Sequence, residues 1–370
     1  MNSTSKKNIA TRPCLSVLAS WREPILLAFA LLVSGCANLA YYTQSVGGQL
    51  DVIAKRQPIT RVVRQNSTPP ALKLALTDVL EMRRFATQSL GLPDNASYRG
   101  YTDLQRPYVV WNVVATPAYS LEPRRWCFPF VGCLSYRGYF RKMRAQLFAA
   151  DLQQHGDDVA VLGVPAYSTL GWFDDPVLST MIDWPKHRLA GLLFHELSHQ
   201  VLYIRDDSNF NESFAATVEY EGVRRWLEHT RETATLMRYR DELRRQEQFI
   251  TLITMTRAEL TRIYASNLTS SDMHTAKTRA FTALHTNYQH LKHDEWNDYS
   301  GYDRWFAQYI NNAHLAALHT YREYVPAFQA LLAQCHGDLP TFYTEARKIG
   351  ALPKQERVRR LRKLGTEPDF

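Results

Sequence analysis

Residues 190–202 read Ala-Gly-Leu-Leu-Phe-His-Glu-Leu-Ser-His-Gln-Val-Leu. On a helix, side chains four apart stand one above the other on the same face. His195 and His199 can therefore offer imidazole nitrogens to a single ion. Glu196 is next in the winding, close enough to hold a water without being a ligand itself. A catalytic zinc usually takes three protein ligands and keeps one position open, so a third ligand is needed. Glu212 supplies it: after the turn at 205–210, the stretch Asn211-Glu212-Ser213-Phe214-Ala215 begins a second helix that can fold back on the first. The plainer role for Glu212 is a carboxylate favoured by the positive end of its own helix.

This constellation implies metal-assisted hydrolysis. Zinc lowers the pKa of a bound water toward ~7, and Glu196 is placed to take its proton and pass it to a leaving amine. An electrophile beside the metal would stabilise the oxyanion. Tyr203 and Tyr220 are the candidates, each also readable as a packed aromatic. Glu219, seven residues after Glu212 and on the same helical face, is placed to orient a ligand histidine or to pair with an arginine. An intact Glu196 favours an enzyme over a structural zinc site, which would be closed by four protein ligands.

The elements that must position these groups follow from the patterning. Leu192, Leu193, Leu197, Val201 and Leu202 give the histidine segment an apolar anchor, so one helix is expected over 185–204 and one or two more over 211–264. Further helices are expected over 71–90, 273–292, 302–335 and 339–364. The mixed-sign stretch 224–245 reads as the solvated face of a long helix. Strands are expected at Tyr108–Ala115 and Val159–Val164, both β-branched or aromatic. The fold class is α+β and predominantly helical. A small β portion at 100–171 precedes the metal helices at 185–230 and a helical part at 231–370, all within one domain over 71–370.

The N-terminus reads as an export signal. Lys6, Lys7, Arg12 and Arg22 precede the apolar run 25–33, which is shorter than the ~20 residues a spanning helix needs. Leu32-Val33-Ser34-Gly35-Cys36 resembles a bacterial lipobox. This implies cleavage of residues 1–35, a diacylated Cys36 as a membrane anchor, and a tether over 36–70. Ala37, in place of the aspartate associated with inner-membrane retention, points to the outer membrane, facing the periplasm. The net charge of +8 falls to +5 once the four basic residues and Glu23 are removed, which argues against a nucleic-acid partner. In an oxidising compartment Cys127 and Cys133 can close a small loop; two separate buried thiols are the alternative. The basic tail 354–363 faces solvent or anionic headgroups.

The pattern His195-Glu196-x-x-His199 with a glutamate on the following helix resembles the gluzincin metallopeptidases. Residues 211–215 are similar to the Asn-Glu-Gly-Phe-Ala of the membrane alanyl aminopeptidases, although the gap is shorter and the Gly-x-Met-Glu-Asn substrate strand has no counterpart. A fuller resemblance, over nearly the whole mature chain, is to bacterial lipoproteins named as predicted aminopeptidases. It includes Tyr167-Ser168-Thr169-Leu170-Gly171-Trp172-Phe173-x-Asp175-Pro176, then Asn311-Asn312-Ala313, Tyr321 and Pro326. The resemblance implies a zincin-like core, one Zn2+, and a peptide substrate cut by aminopeptidase action. By position and analogy, Tyr167, Ser168, Thr169 and Gly171 form a substrate edge. Two other readings stand beside it: a non-catalytic zinc-containing envelope lipoprotein, and a zinc amidase acting on cell-wall material.

Overall fold

The computed structural model describes residues 41–128, 132–166, 169, 173–318 and 323–366. The expected signal peptide, Cys36, Tyr167, Ser168, Gly171 and Tyr321 lie outside them. The chain divides into Met1–Asp51, whose residues 41–51 are helical, and a second compact unit, Val52–Phe370. No described helix is long and apolar enough to cross a membrane.

In the second unit, β1 (Gln57–Pro58), α1 (Ile59–Arg64) and α2 (Pro70–Gln88) precede six short strands and one helix. These are β2 (Gly100–Thr102), β3 (Val110–Pro117), β4 (Trp126–Phe128), β5 (Gly132–Leu134), β6 (Arg137–Tyr139), α3 (Lys142–Gln154) and β7 (Asp157–Val164). After β8 (Val177–Leu178) come the helices α4 (Lys186–His199), α5 (Ser208–His229), α6 (Thr233–Tyr264) and α7 (Ser270–His290). A π-helical turn at Leu291–Glu295, α8 (Asp303–Phe306), α9 (Asn312–Ala317), α10 (Val325–Gln334), α11 (Leu339–Gly350) and α12 (Lys354–Thr366) complete it. The predominantly helical α+β class is observed.

The strands form an antiparallel sheet in the order β6-β3-β7, a second sheet β1-β2-β8 in which β2 and β8 run parallel, and the β4–β5 hairpin. Cys127 and Cys133 stand opposite each other in that hairpin and are joined by a disulfide. Asn311 and Asn312 tie α9 to the first sheet. Asn311 donates to Val159 O at 3.1 Å, and the Asn312 amide donates to the carbonyls of Ala118 and Ser120 at 3.0 and 3.1 Å.

Several expected boundaries move. Residues 52–70 are not a tether: Val52, Ile59 and Val62 are buried in the main core, so apolar burial fixes them. The expected long helix across 224–245 breaks at 230–232, where Arg231 takes a φ of 59°. Among the described residues, segment 302–335 divides into three short helices, and 339–364 into two. Helix α3 carries only Ala145 and Ala149 as buried residues, so it leaves little apolar period in the sequence.

The main core gathers apolar faces of α2, α4, α5, α10 and α11, including Phe194, Phe210, Phe214, Phe328 and Phe342. A second core lies between α6 and α7, where Phe249, Leu284, Tyr288 and Trp296 meet. Helix α4 buries Leu189, Ala190, Leu193, Phe194 and Leu197, and that apolar stripe fixes which way its opposite face points.

Candidate metal centre

Helix α4 carries both histidines one turn apart, their rings 4.9 Å between centroids. It ends at His199 rather than running to residue 204, because the chain turns at Gln200, whose N–H donates to the carbonyls of Leu197 and Ser198. That turn matters for the third group. Asn211 clamps it from the next helix: its side-chain oxygen accepts from Ile204 N and its amide donates to Ile204 O, both at 2.7 Å. Asp207 caps α5 by accepting from Phe210 N at 3.2 Å. The same carboxylate forms a buried ion pair with Arg357 of α12 at 2.7 Å. The start of α5 is therefore fixed at both ends of one turn, and Glu212 follows at once.

Glu212 faces both histidines. Its Oε2 lies 3.2 Å from His195 Nε2, and its Oε1 lies 3.7 Å from His199 Nε2. Behind His195, Glu219 Oε2 accepts from Nδ1 at 3.0 Å. This is the arrangement that fixes an imidazole with its other nitrogen presented forward. The two helices come close enough for this because of two glycines. A Cβ on Gly191 would lie 3.3 Å from Glu219 Oε1, and one on Gly222 would lie 2.7 Å from the Phe194 ring.

His195, His199 and Glu212 are, among the described residues, the one group of three metal-binding side chains whose donor atoms converge, all within 4.8 Å of one another. The donors suit a metal ion on chemical grounds. Burial, then the charge on His195, lowers the His199 pKa to about 4, so its ring is neutral. At 3.7 Å its Nε2 is beyond a normal hydrogen bond to the carboxylate, and its buried Nδ1 has no hydrogen-bond partner. A neutral imidazole and a carboxylate oxygen facing across that gap are two lone-pair donors, which a cation would reconcile. At His195, burial opposes protonation, but hydrogen bonds donated by its ring to Glu212 and Glu219 outweigh it and raise the pKa to about 10. Two imidazoles and one carboxylate match in type and number the three protein ligands of catalytic zinc sites, whereas structural ones are closed by four.

Glu196 lines a cavity of about 650 Å3 with His195 and Glu219, between these helices and α6. It is also lined by His187 and Arg188 of α4, Glu242 and Arg245 of α6, and Tyr299 and Tyr302. Glu242 and Arg245, expected on a solvated helix face, line this cavity instead, and no local motif in the sequence marks His187, Arg188, Tyr299 or Tyr302. Tyr203 lies beyond the end of α4, half exposed, its ring 6.2 Å from that of His199. Tyr220 is partly buried and packs on the main core. Thr169 turns inward: its N–H and hydroxyl both donate to Asp175, at 2.8 and 2.9 Å.

A helix pair that presents two histidines and a glutamate beside a carboxylate-lined cavity defines a candidate metal-dependent hydrolase. The family described as "Putative aminopeptidase" matches residues 40–361, and the chain belongs to that family. Membership suggests a peptidase. No curated protein and no solved structure matches the chain.

Proposed function

We propose that the protein is a zinc-dependent peptidase of gluzincin type and aminopeptidase character, carried as a lipoprotein on the periplasmic side of the outer membrane. The observation that carries the catalytic part is the convergence of His195 Nε2 and His199 Nε2 on the Glu212 carboxylate, with Glu219 behind His195. His195, His199 and Glu212 would hold the zinc, which supplies Lewis acidity and a more acidic water when bound. Glu219 keeps the His195 proton on Nδ1, leaving Nε2 as the donor. The Glu196 carboxylate accepts the proton of the attacking water and returns it to the leaving nitrogen. Tyr203, beside His199 at the solvent edge, is the better placed of the two tyrosines to donate to a developing oxyanion.

The test separates ligands from base. Glu196→Gln should retain close to one zinc per chain by metal analysis while losing ~10²–10⁴ in rate. His199→Ala and Glu212→Ala should lose zinc and activity together. Cleavage of free-amino-terminal reporters with amino-blocked ones untouched supports aminopeptidase action, and efficient cleavage of blocked peptides makes it an endopeptidase. Full zinc in His199→Ala, or full activity in Glu196→Gln, overturns the scheme.

A further inference from the structure

The cavity beside Glu196 carries positive charge with an uneven set of partners. Glu242 Oε2 accepts from both His187 Nε2 and Arg188 Nε, each at 3.1 Å. Burial tends to raise the Glu242 pKa, but those two partners hold it below the usual carboxylate range. Glu219 is engaged with His195. Arg245 is different. Its guanidinium stacks over the Tyr299 ring at 4.3 Å, its buried Nε has no hydrogen-bond partner, and among the described residues no carboxylate lies within ion-pair distance of it.

A guanidinium held flat on an aromatic ring, close to a cavity and without an anion, is prepared for one. Its planar fork matches a carboxylate in two parallel hydrogen bonds. The stack fixes the plane, so less side-chain freedom is lost on binding. Desolvation in the cavity strengthens the attraction relative to water. The neighbouring tyrosines Tyr299 and Tyr302 line the same cavity. Arg188, by contrast, is already paired with Glu242.

We propose that Arg245 is a substrate-recognition residue that binds a carboxylate of the peptide in the cavity lined by Glu196. This deepens, and rests on, the peptidase reading by giving its substrate class: short peptides whose free C-terminus, or an acidic side chain, reaches Arg245 while the scissile bond lies at Glu196. Either source presents the same carboxylate. The cavity volume of about 650 Å3 suits a few residues rather than a long chain.

Binding can be measured without turnover on full-length, zinc-loaded Glu196→Gln protein by calorimetry. The probes are trialanine with a free C-terminus, its C-terminal amide, and an amidated tripeptide with a central glutamate. A charged hydrogen-bonded pair of this kind predicts about tenfold to a hundredfold tighter binding of at least one carboxylate probe than of the neutral amide. Which of the two acidic probes gains identifies the source of the carboxylate. Adding Arg245→Gln should reduce the preference to about twofold or less, and Arg245→Lys should retain part of it. Equal binding of acid and amide, binding of none of the three, or a preference that survives Arg245→Gln overturns the proposal. The peptidase reading is judged separately, by wild-type cleavage. If Arg245 discriminates carboxylates but no peptide is cut, the recognition site stands and the peptidase falls.

Discussion

The carboxylate of Glu219 decides which nitrogen of His195 faces forward. An imidazole alone can carry its proton on either side, and only a fixed partner removes that freedom. Glu219 Oε2 sits 3.0 Å from Nδ1, and the glycine at 191 gives it room. Removing such a partner typically weakens metal binding by ~10–100-fold. Glu219→Ala should show a loss of that size in competition with a chelating dye. Glu219→Gln should lose less, since its amide oxygen still accepts from Nδ1. Unchanged affinity in Glu219→Ala would mean that packing alone orients His195. The spacing of seven between Glu212 and Glu219 is visible in the sequence, because two helical turns return to one face. Arg245 is not legible in that way: nothing in its local sequence tells it from Arg244 or Arg240, and only tertiary packing places it on Tyr299.

At the level of elements, the α4–α5 pair is the frame, and Gly222 sets its closeness. Glycine inside a helix costs ~1 kcal/mol relative to alanine, so substitution would ordinarily stabilise. Here a Cβ would lie 2.7 Å from Phe194 Cδ2 and 3.0 Å from Leu90 Cδ1, and both side chains are fully buried. Overpacking of a filled core costs ~1–3 kcal/mol. That outweighs the propensity gain, because the Phe194 ring is also packed against Phe85. Gly222→Ala should therefore lower the urea midpoint of unfolding, and a raised midpoint would show that the two helices can part without cost. The histidine helix itself was legible from its apolar stripe. Its end was not: Val201 and Leu202 continue the pattern, but the Asn211 clamp on Ile204 pulls the chain away after His199.

For the whole molecule, the proposed address rests on the residues preceding the described ones. If Cys36 is the mature N-terminus, mass spectrometry of protein from the cell envelope should find a diacylated cysteine followed by Ala37. An unmodified Cys36 within an uncleaved chain would reject the anchor. A disulfide between Cys127 and Cys133 accords with an oxidising compartment. Taken by itself, the sequence determined the helical class, the histidine pair, Glu196 between them and Glu212 as their partner. All four depend on periodicity and short spacing, which a helix converts directly into position. Tertiary structure alone decided that residues 52–70 join the core, that Asn311 and Asn312 lock α9 to the sheet, and that Arg188, Glu242, Arg245 and Tyr299 share one cavity. Those contacts join segments tens of residues apart, where no local period carries information, and only the burial of the two cores brings them together.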